Sequence, residues 1–422
     1  MIIKISILFI AFVHILSLSC YAQKKDVIKF SINVESKNLS FGDYIPAKIA
    51  FTKDIQQNFK IKYRGNSSSG YNKKSFSLKF PEKIAFRNLD SAYKWKLNAD
   101  YIDKTLMRNK LSYDLFKAFS KDNISPKINY VLLKLNGSPQ GIYVLTQRVD
   151  ENLLQLNKND SSSRIFKAPP ISIPTENHSQ KHKNYIAYSQ WNPFYENFSE
   201  RAKEKLIKQA YYNQRYPKIR QSDKKKDIHI ITEFIFSSSD NDFSNSKVFN
   251  SFFDLENIID WHLLLLVTNN ADGLIKNFYI YKQNKNEPYK FCPWDYDHSF
   301  GRDGGGHLDL TSFIDISQNK LIDRLIKTNA FNYKKKLYDK FLSLKKDKVL
   351  TYPSINKMIK KNIRLIKPHI KQNENIWPLN NMLQFEESNF KKEIALIKSW
   401  IKNRLPQVEA YLLELNATAN RK

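Results

Sequence analysis

Asn269-Asn270-Ala271-Asp272-Gly273-Leu274-Ile275-Lys276-Asn277, followed shortly by Pro293-Trp294-Asp295-Tyr296-Asp297-His298-Ser299-Phe300-Gly301, is the stretch that decides how this chain is read. Immediately before it, Leu255 to Val267 is strongly apolar, which predicts a buried helix. Between the two quoted stretches, Phe278 to Tyr281 and Tyr289 to Cys292 are short runs rich in aromatic residues. Polar Asn284 to Glu287 separates them, the pattern of a β-hairpin. A carboxylate and an amide, Asp272 and Asn277, thus precede the predicted hairpin, and a second and third carboxylate, Asp295 and Asp297, follow it.

Phosphoryl transfer asks for such groups. One carboxylate orients the attacking hydroxyl and accepts its proton, and oxygen ligands hold the Mg²⁺ that neutralises phosphate charge. In protein kinases the first carboxylate and a metal-binding Asn are five residues apart, and a metal-binding Asp follows on the far strand of a hairpin. Asp272, Asn277 and Asp295 have that order and spacing. Each feature alone says little. An Asp five residues before an Asn arises by chance in so Asn-rich a chain, and a pair such as Asp295 and Asp297 also reads as a solvated loop or strand cap. Together, on the expected elements, they read as a site.

Upstream, Ile28, Phe30, Ile32 and Val34 alternate, as do Phe59, Ile61 and Tyr63, and Phe76, Leu78 and Phe80, all at the period of strands. Arg64-Gly65-Asn66-Ser67-Ser68-Ser69-Gly70 joins two of these runs. Tyr130 to Leu135 and Gly141 to Leu145 predict a hairpin turned at Asn136-Gly137. Thr105 to Phe119 predicts a helix, and amphipathic helices fill the chain from Leu321 onward, ending with Phe390 to Leu415. Residues 157–227 are polar and without clear period, apart from a predicted helix near Glu200 to Tyr211. The chain therefore reads as α+β: an N-terminal, mainly β lobe over 23–156, an irregular insertion over 157–227, and a mainly α lobe over 228–422. A cleft between two such parts is the natural place for a ligand.

Residues 1–22 read as an export signal. Lys4 precedes the apolar run Ile5 to Leu18, and Ser19-Cys20-Tyr21-Ala22 offers small residues for cleavage after Ala22. Ser17 stands where a lipoprotein signal prefers Leu. A periplasmic, cell-surface or secreted location follows. Without the signal one cysteine remains, Cys292, so no internal disulfide is available and stability rests on the core. The net charge of +28 in 422 residues favours acidic partners. Its lysines are spread along the chain with no basic run interleaved with aromatics, which argues against a nucleic-acid groove. His178 and His182 are spaced H-x-x-x-H without the Glu that a zinc protease needs, and neither a G-x-S-x-G elbow nor a Walker A loop occurs.

At several of these segments the chain resembles the CotH kinase-like family of spore-coat and secreted proteins. Arg64-Gly65-Asn66-Ser67-Ser68 with Lys73-Lys74-Ser75-Phe76 is similar to that family's RGNSS…KKSY signature. Trp95-Lys96-Leu97-Asn98-Ala99 with Asp103 and Arg108-Asn109 matches its W-x-L…D…RN segment. Asn136-Gly137 with Gly141-Ile142-Tyr143 matches its N-G…G-x-Y hairpin, and Asp272…Asn277…Pro293-Trp294-Asp295-Tyr296-Asp297…Gly301 its D…N…PWDxD…G core.

The resemblance, over about residues 28 to 415, implies an atypical protein-kinase-like fold and transfer of the γ-phosphate of ATP to Ser or Thr of a protein acceptor, with Mg²⁺ or Mn²⁺. It implies Asp272 as catalytic base, Asn277 and Asp295 as metal ligands, and Asp297 as a further ligand or loop-holder. On the same picture Arg64, Gly65, Ser67 and Ser68 cover phosphates, and one of Lys73, Lys74 and Lys79 reaches them. Arg108 calls for a carboxylate or phosphate partner. Where many members carry Glu after the G-x-Y hairpin, this chain has Gln147, a departure that puts activity in doubt. ATP is scarce outside the cytoplasm. The competing reading is therefore a catalytically weak, kinase-fold surface or structural protein that holds acidic polymers on a basic face.

Overall fold

The computed structural model describes residues 26–35, 39–51, 56–65, 67–168, 214–218, 227–303, 306–307, 311–378 and 388–420. The predicted signal at 1–22 and the predicted helix near Glu200 to Tyr211 lie outside the described residues. The chain groups into two compact units. One comprises Met1–Tyr101, Lys127–Arg148 and Lys361–Pro378; the other comprises Ile102–Pro126, Val149–Lys360 and Leu379–Lys422. Where the sequence places one N-terminal lobe over 23–156, the contacts assign 102–126 to the second unit and 361–378 to the first.

The first unit is built on a closed barrel. Strands β1 (Ile28–Val34), β2 (Ile45–Ala50), β3 (Gln56–Arg64), β4 (Ser75–Ile84), β5 (Ala92–Asn98), β6 (Ile128–Leu135) and β7 (Ser138–Gln147) close in the order β1-β2-β3-β4-β5-β7-β6. The last pairing, β1 with β6, is parallel. Closure leaves no strand edge unpaired. Alternation sends Phe30, Ile32, Ile49, Ile61, Leu78, Leu97 and Leu133 inward, and Trp95 meets Phe86 edge to face at 5.0 Å.

The Asn136-Gly137 turn forms as the sequence predicts, with positive φ at both residues, the geometry that matches strand twist. Asn136 also stitches the turn to β1: its N–H donates to the Ile32 carbonyl, and its Oδ1 accepts from the Val34 N–H, both at 2.8 Å. Strand β5 lies beyond the stretch that reads as strand-like in sequence.

The second unit contains helix α1 (Arg108–Phe119), strands β8 (Arg164–Lys167) and β9 (Gln214–Tyr216), and helices α2 (Asp227–Ser237), α3 (Asp240–Phe243), α4 (Ser246–Phe252), α5 (Leu255–Thr268) and α6 (Ala271–Ile275). Strands β10 (Phe278–Lys282) and β11 (Lys290–Pro293) and helices α7 (Lys320–Thr328), α8 (Tyr333–Lys346), α9 (Tyr352–Ile376) and α10 (Phe390–Ala417) follow, with the end of α9 belonging to the first unit. The predicted hairpin is β10–β11, and it continues into a sheet of order β11-β10-β8-β9. The stretch 157–227, read as irregular, thus supplies two strands at its described ends. Their runs are too short to show a period.

Helix α5 is buried along nearly its whole length, with Trp261 stacked on Phe291 at 4.3 Å. Its C-terminus is set by Asn269 in the left-handed conformation. Arg404 of α10 closes that end. Its guanidinium donates to the Leu266 carbonyl at 2.9 Å and to Asn269 Oδ1 at 2.7 Å, placing a cation where the helix dipole is negative.

Candidate active site

The site residues of the second unit are set by a chain of caps. One residue after the Asn269 stop, Asn270 starts α6 by accepting the Gly273 N–H on its Oδ1 at 2.7 Å. Asp272 sits in the first turn of that short helix. Its carbonyl accepts from the N–H groups of Lys276 at 2.9 Å and Asn277 at 2.8 Å, so the turn ends by presenting Asn277. Gly273 is buried with its Cα against Tyr296. A Cβ there would lie 2.8 Å from the Tyr296 hydroxyl and 3.0 Å from Leu265.

The second half of the site is bolted to the first. Asn277 Nδ2 donates to the Asp295 carbonyl at 2.8 Å, and the Trp294 N–H donates to the Asn277 carbonyl at 3.1 Å. Asp295 holds a positive φ of 65°, which turns the chain sharply after β11. Helix α1 fixes this turn from behind: the Asp295 N–H donates to the Tyr113 hydroxyl at 2.8 Å, and the Tyr296 N–H to Asn109 Oδ1 at 2.6 Å. The structure thus brings Asp272, Asn277 and Asp295 to one place, with Asp295 exposed and Asp272 and Asn277 partly so.

Around Asp272 stand two nitrogen groups that the sequence reading did not single out. Lys276 Nζ lies 2.8 Å from its Oδ1, and His298 Nδ1 lies 3.9 Å from its Oδ2. Lys276 was open to inference, since an i,i+4 Asp–Lys pair on a helix turn meets by geometry. Asp297 is only partly exposed. Burial, the nearby Asp295 charge and, more weakly, Asp103 and Asp272 push its carboxyl up to about 7, against the pull of His298. So dense a set of carboxylates is short of positive charge. Asn277 adds a neutral oxygen, its Oδ1, which takes no hydrogen bond among the described residues. Among those residues no three of His, Cys, Asp and Glu are grouped as a metal cage. One or two carboxylates with an amide oxygen is the donor set of a magnesium ion that shares its shell with phosphates and water. The residues present fit that ion.

Beneath the site runs a buried ionic network that answers the question posed by Arg108. Its guanidinium pairs with Asp103 at 2.5 Å and Glu393 at 2.8 Å, and its Nε donates to the Ser299 carbonyl at 2.9 Å. Asp103 also caps α1, accepting from the N–H groups of Thr105 at 3.0 Å and Arg108 at 2.9 Å. Glu393 bonds Arg302 and Ser388 as well. Burial opposes ionisation of Glu393, but the Arg302 hydrogen bond, the Arg108 charge and the Ser388 hydroxyl hold its carboxyl at about 2. The D…RN segment therefore anchors the turn that carries Asp295.

The first unit holds the remaining sequence candidates. Gly65 has φ +143°, and a Cβ there would come within 2.6 Å of Ser68 Oγ. Ser67 to Gly70 form a 3₁₀ turn, tied down by Lys74, whose Nζ donates to the Ser69 carbonyl at 2.7 Å. Arg64 donates to Asn98. Lys73 is buried, its ammonium held by the carbonyls of Ala99 at 2.9 Å and Ile142 at 2.5 Å and by Asn373 at 3.3 Å. Lys79 is exposed on the outward face of β4. Gln147 is buried, with Nε2 donating to the Asp90 carbonyl at 3.4 Å and Oε1 without a partner among the described residues. The Asp90 carbonyl is a backbone acceptor, with which an amide can bond and a carboxylate cannot. Cys292 is buried, and burial pushes its thiol well above the usual range.

Comparison with known proteins adds three findings. The chain is 24% identical over 378 residues to the inner spore coat protein H of Bacillus subtilis (strain 168), covering 89% of this chain and 93% of that protein. The crystal structure of the Helicobacter pylori proinflammatory kinase CtkA aligns with 91% of this chain and 98% of its own at 10% identity. Its TM-score of 0.27 is too low to carry an argument. The family described as CotH kinase protein matches residues 61–408, most of both units, and the chain belongs to that family.

Proposed function

We propose that this protein is an ATP- and Mg²⁺-dependent phosphotransferase of the CotH type that modifies Ser or Thr of a protein acceptor outside the cytoplasm. The observation that carries the reading is that Asn277 joins Asp295 through its side-chain hydrogen bond at 2.8 Å and Asp272 through its backbone N–H at 2.8 Å. Asp272 takes the proton of the acceptor hydroxyl as its oxygen bonds to the γ-phosphorus and the bond to the β-phosphate oxygen breaks, releasing ADP. Lys276 holds the Asp272 carboxylate in place. Asp295 and the Asn277 amide oxygen would hold the magnesium ion, with Asp297 beside them, and its charge would there offset that of the phosphate oxygens.

In the barrel unit, Arg64, Gly65, Ser67 and Ser68 form a phosphate-binding element, and Lys74 is the lysine that reaches it. Lys73 is committed to backbone carbonyls and serves to hold that element's strand. The spore-coat name of the Bacillus relative and the apolar run at 5–18 support a surface location.

The test incubates purified protein with γ-labelled ATP and Mg²⁺ or Mn²⁺, with and without an acidic protein acceptor. Asp295→Ala should abolish labelling and weaken nucleotide binding, whereas Asp272→Ala should abolish labelling and leave nucleotide binding largely intact. Labelling by both variants at the wild-type rate would overturn the site. Failure of wild type to label or to bind nucleotide would favour the kinase-fold binding protein.

A further inference from the structure

The positive charge of this chain looks diffuse in sequence, but the barrel concentrates part of it. Pairing places Lys60 of β3 directly opposite Lys79 of β4, and Lys79 directly opposite Lys94 of β5. One row of three adjacent strands therefore carries three like charges. The next row brings Lys62 and Lys96 to either side of Ser77. Buried Phe59, Ile61, Phe76, Leu78, Trp95 and Leu97 stand beside or between them, so they share the barrel's outward face. Like charges directly across a sheet repel and destabilise it. Three like charges held in one outward row raise the local positive potential and attract acidic partners.

A groove of about 520 Å³ opens along the row, lined by Lys48, Lys60, Lys79, Asn58, Pro46 and Pro81, with Phe59 and Phe80 also bordering it. Glu35 is the carboxylate on its wall, and it pairs with Lys48 at 3.4 Å. Lys60 and Lys79 meet no carboxylate in that wall. Phe59 and Phe80 are buried and stack on each other at 5.1 Å, so they offer no open ring to a nucleobase or a sugar. Lysines supply point charges for carboxylates, and the exposed Pro46 and Pro81 supply apolar rims suited to a polypeptide.

We propose that the outward row of Lys60, Lys79 and Lys94, with the groove bordered by Lys60 and Lys79, binds an acidic polypeptide segment rich in Asp or Glu. The binding is a property of the barrel unit and does not depend on phosphotransfer.

The experiment measures binding of fluorescent poly-L-glutamate to the full chain at about 50 and about 200 mM salt, where screening separates charge-driven binding from the rest. Heparin and single-stranded DNA are run beside it. The triple variant Lys60→Gln, Lys79→Gln, Lys94→Gln should lose at least about tenfold in affinity for poly-L-glutamate. A control with the same charge change at exposed positions of the second unit, Lys346→Gln, Lys348→Gln, Lys391→Gln, should lose less than about twofold. Replacing the three ladder residues by Arg should retain binding. Thermal unfolding of each variant is followed in parallel, and the Gln ladder variant should unfold no earlier than wild type, because the repulsion is relieved. Equal losses in ladder and control variants would overturn the proposal, as would a wild type that does not bind poly-L-glutamate. Tighter ladder-dependent binding of heparin or DNA would replace the polypeptide by those polymers.

Discussion

At the scale of single residues, Gly273 shows how a neighbour in sequence serves the site. It follows Asp272, and its hydrogen faces the Tyr296 hydroxyl, leaving no room for a methyl group. Gly273→Ala should cost about 1–3 kcal/mol through overpacking. Urea unfolding should show it as a lowered midpoint with an unchanged slope. Glu393 is a second such residue, far from Asp103 and Arg108 in sequence and joined to Arg108 at 2.8 Å. Glu393→Ala leaves Arg108 and Arg302 buried with less counter-charge, so a loss of about 3–5 kcal/mol is expected, again read from denaturant midpoints. Sequence gave notice of Arg108 as a buried cation in need of a partner. It gave no notice of Glu393, because 285 residues separate the two and no local pattern links them.

At the scale of elements, the periods named α1, α5, the helices from Leu321 onward and most strands, but not α2, α3, α4 or α6, because burial on one face imposes a repeat of 3.6 or 2 only on residues in runs long enough to show it. Strands β8 and β9 have four and three residues, too few to carry a period, and sheet pairing alone reveals them. Register is also invisible in sequence. That Lys60, Lys79 and Lys94 share one row follows from how β3, β4 and β5 pair. Lys79→Thr removes the middle charge of the row and substitutes a β-branched residue. It should stabilise the barrel by about 0.2–1 kcal/mol, most at low salt. Melting curves at two ionic strengths check the sign.

At the scale of the molecule, two buried groups of the second unit couple its stability to pH. His262 is fully buried, its Nδ1 3.0 Å from the Tyr333 hydroxyl, and burial lowers its pKa from 6.5 to about 3. Between those values the unfolded chain binds a proton that the folded chain refuses, so stability falls as pH drops from 6.5 toward 3. Glu393 adds to the loss from 4.5 down to about 2, where its carboxylate is protonated in the unfolded chain but still paired in the folded one. Asp297, its carboxyl pushed up to about 7, acts in the opposite sense over that range, so the His262 contribution is read as a difference: the wild-type midpoint minus that of His262→Gln should fall as pH drops from 6.5 to 4.5. A difference that does not change with pH would refute this account.

The sequence by itself determined the family, the order of β-rich and helical segments, and Asp272, Asn277 and Asp295 as candidates, because those features reside in local spacing and periodicity. Only the tertiary structure decided that the strands close into a barrel, that Lys73 is spent on backbone carbonyls, that Asn109 and Tyr113 hold the Asp295 turn, and that lysines from three strands form one row. Each of these depends on which distant segments meet. Pairing is chosen by total burial and hydrogen bonding over the fold, and no single stretch of sequence contains that sum.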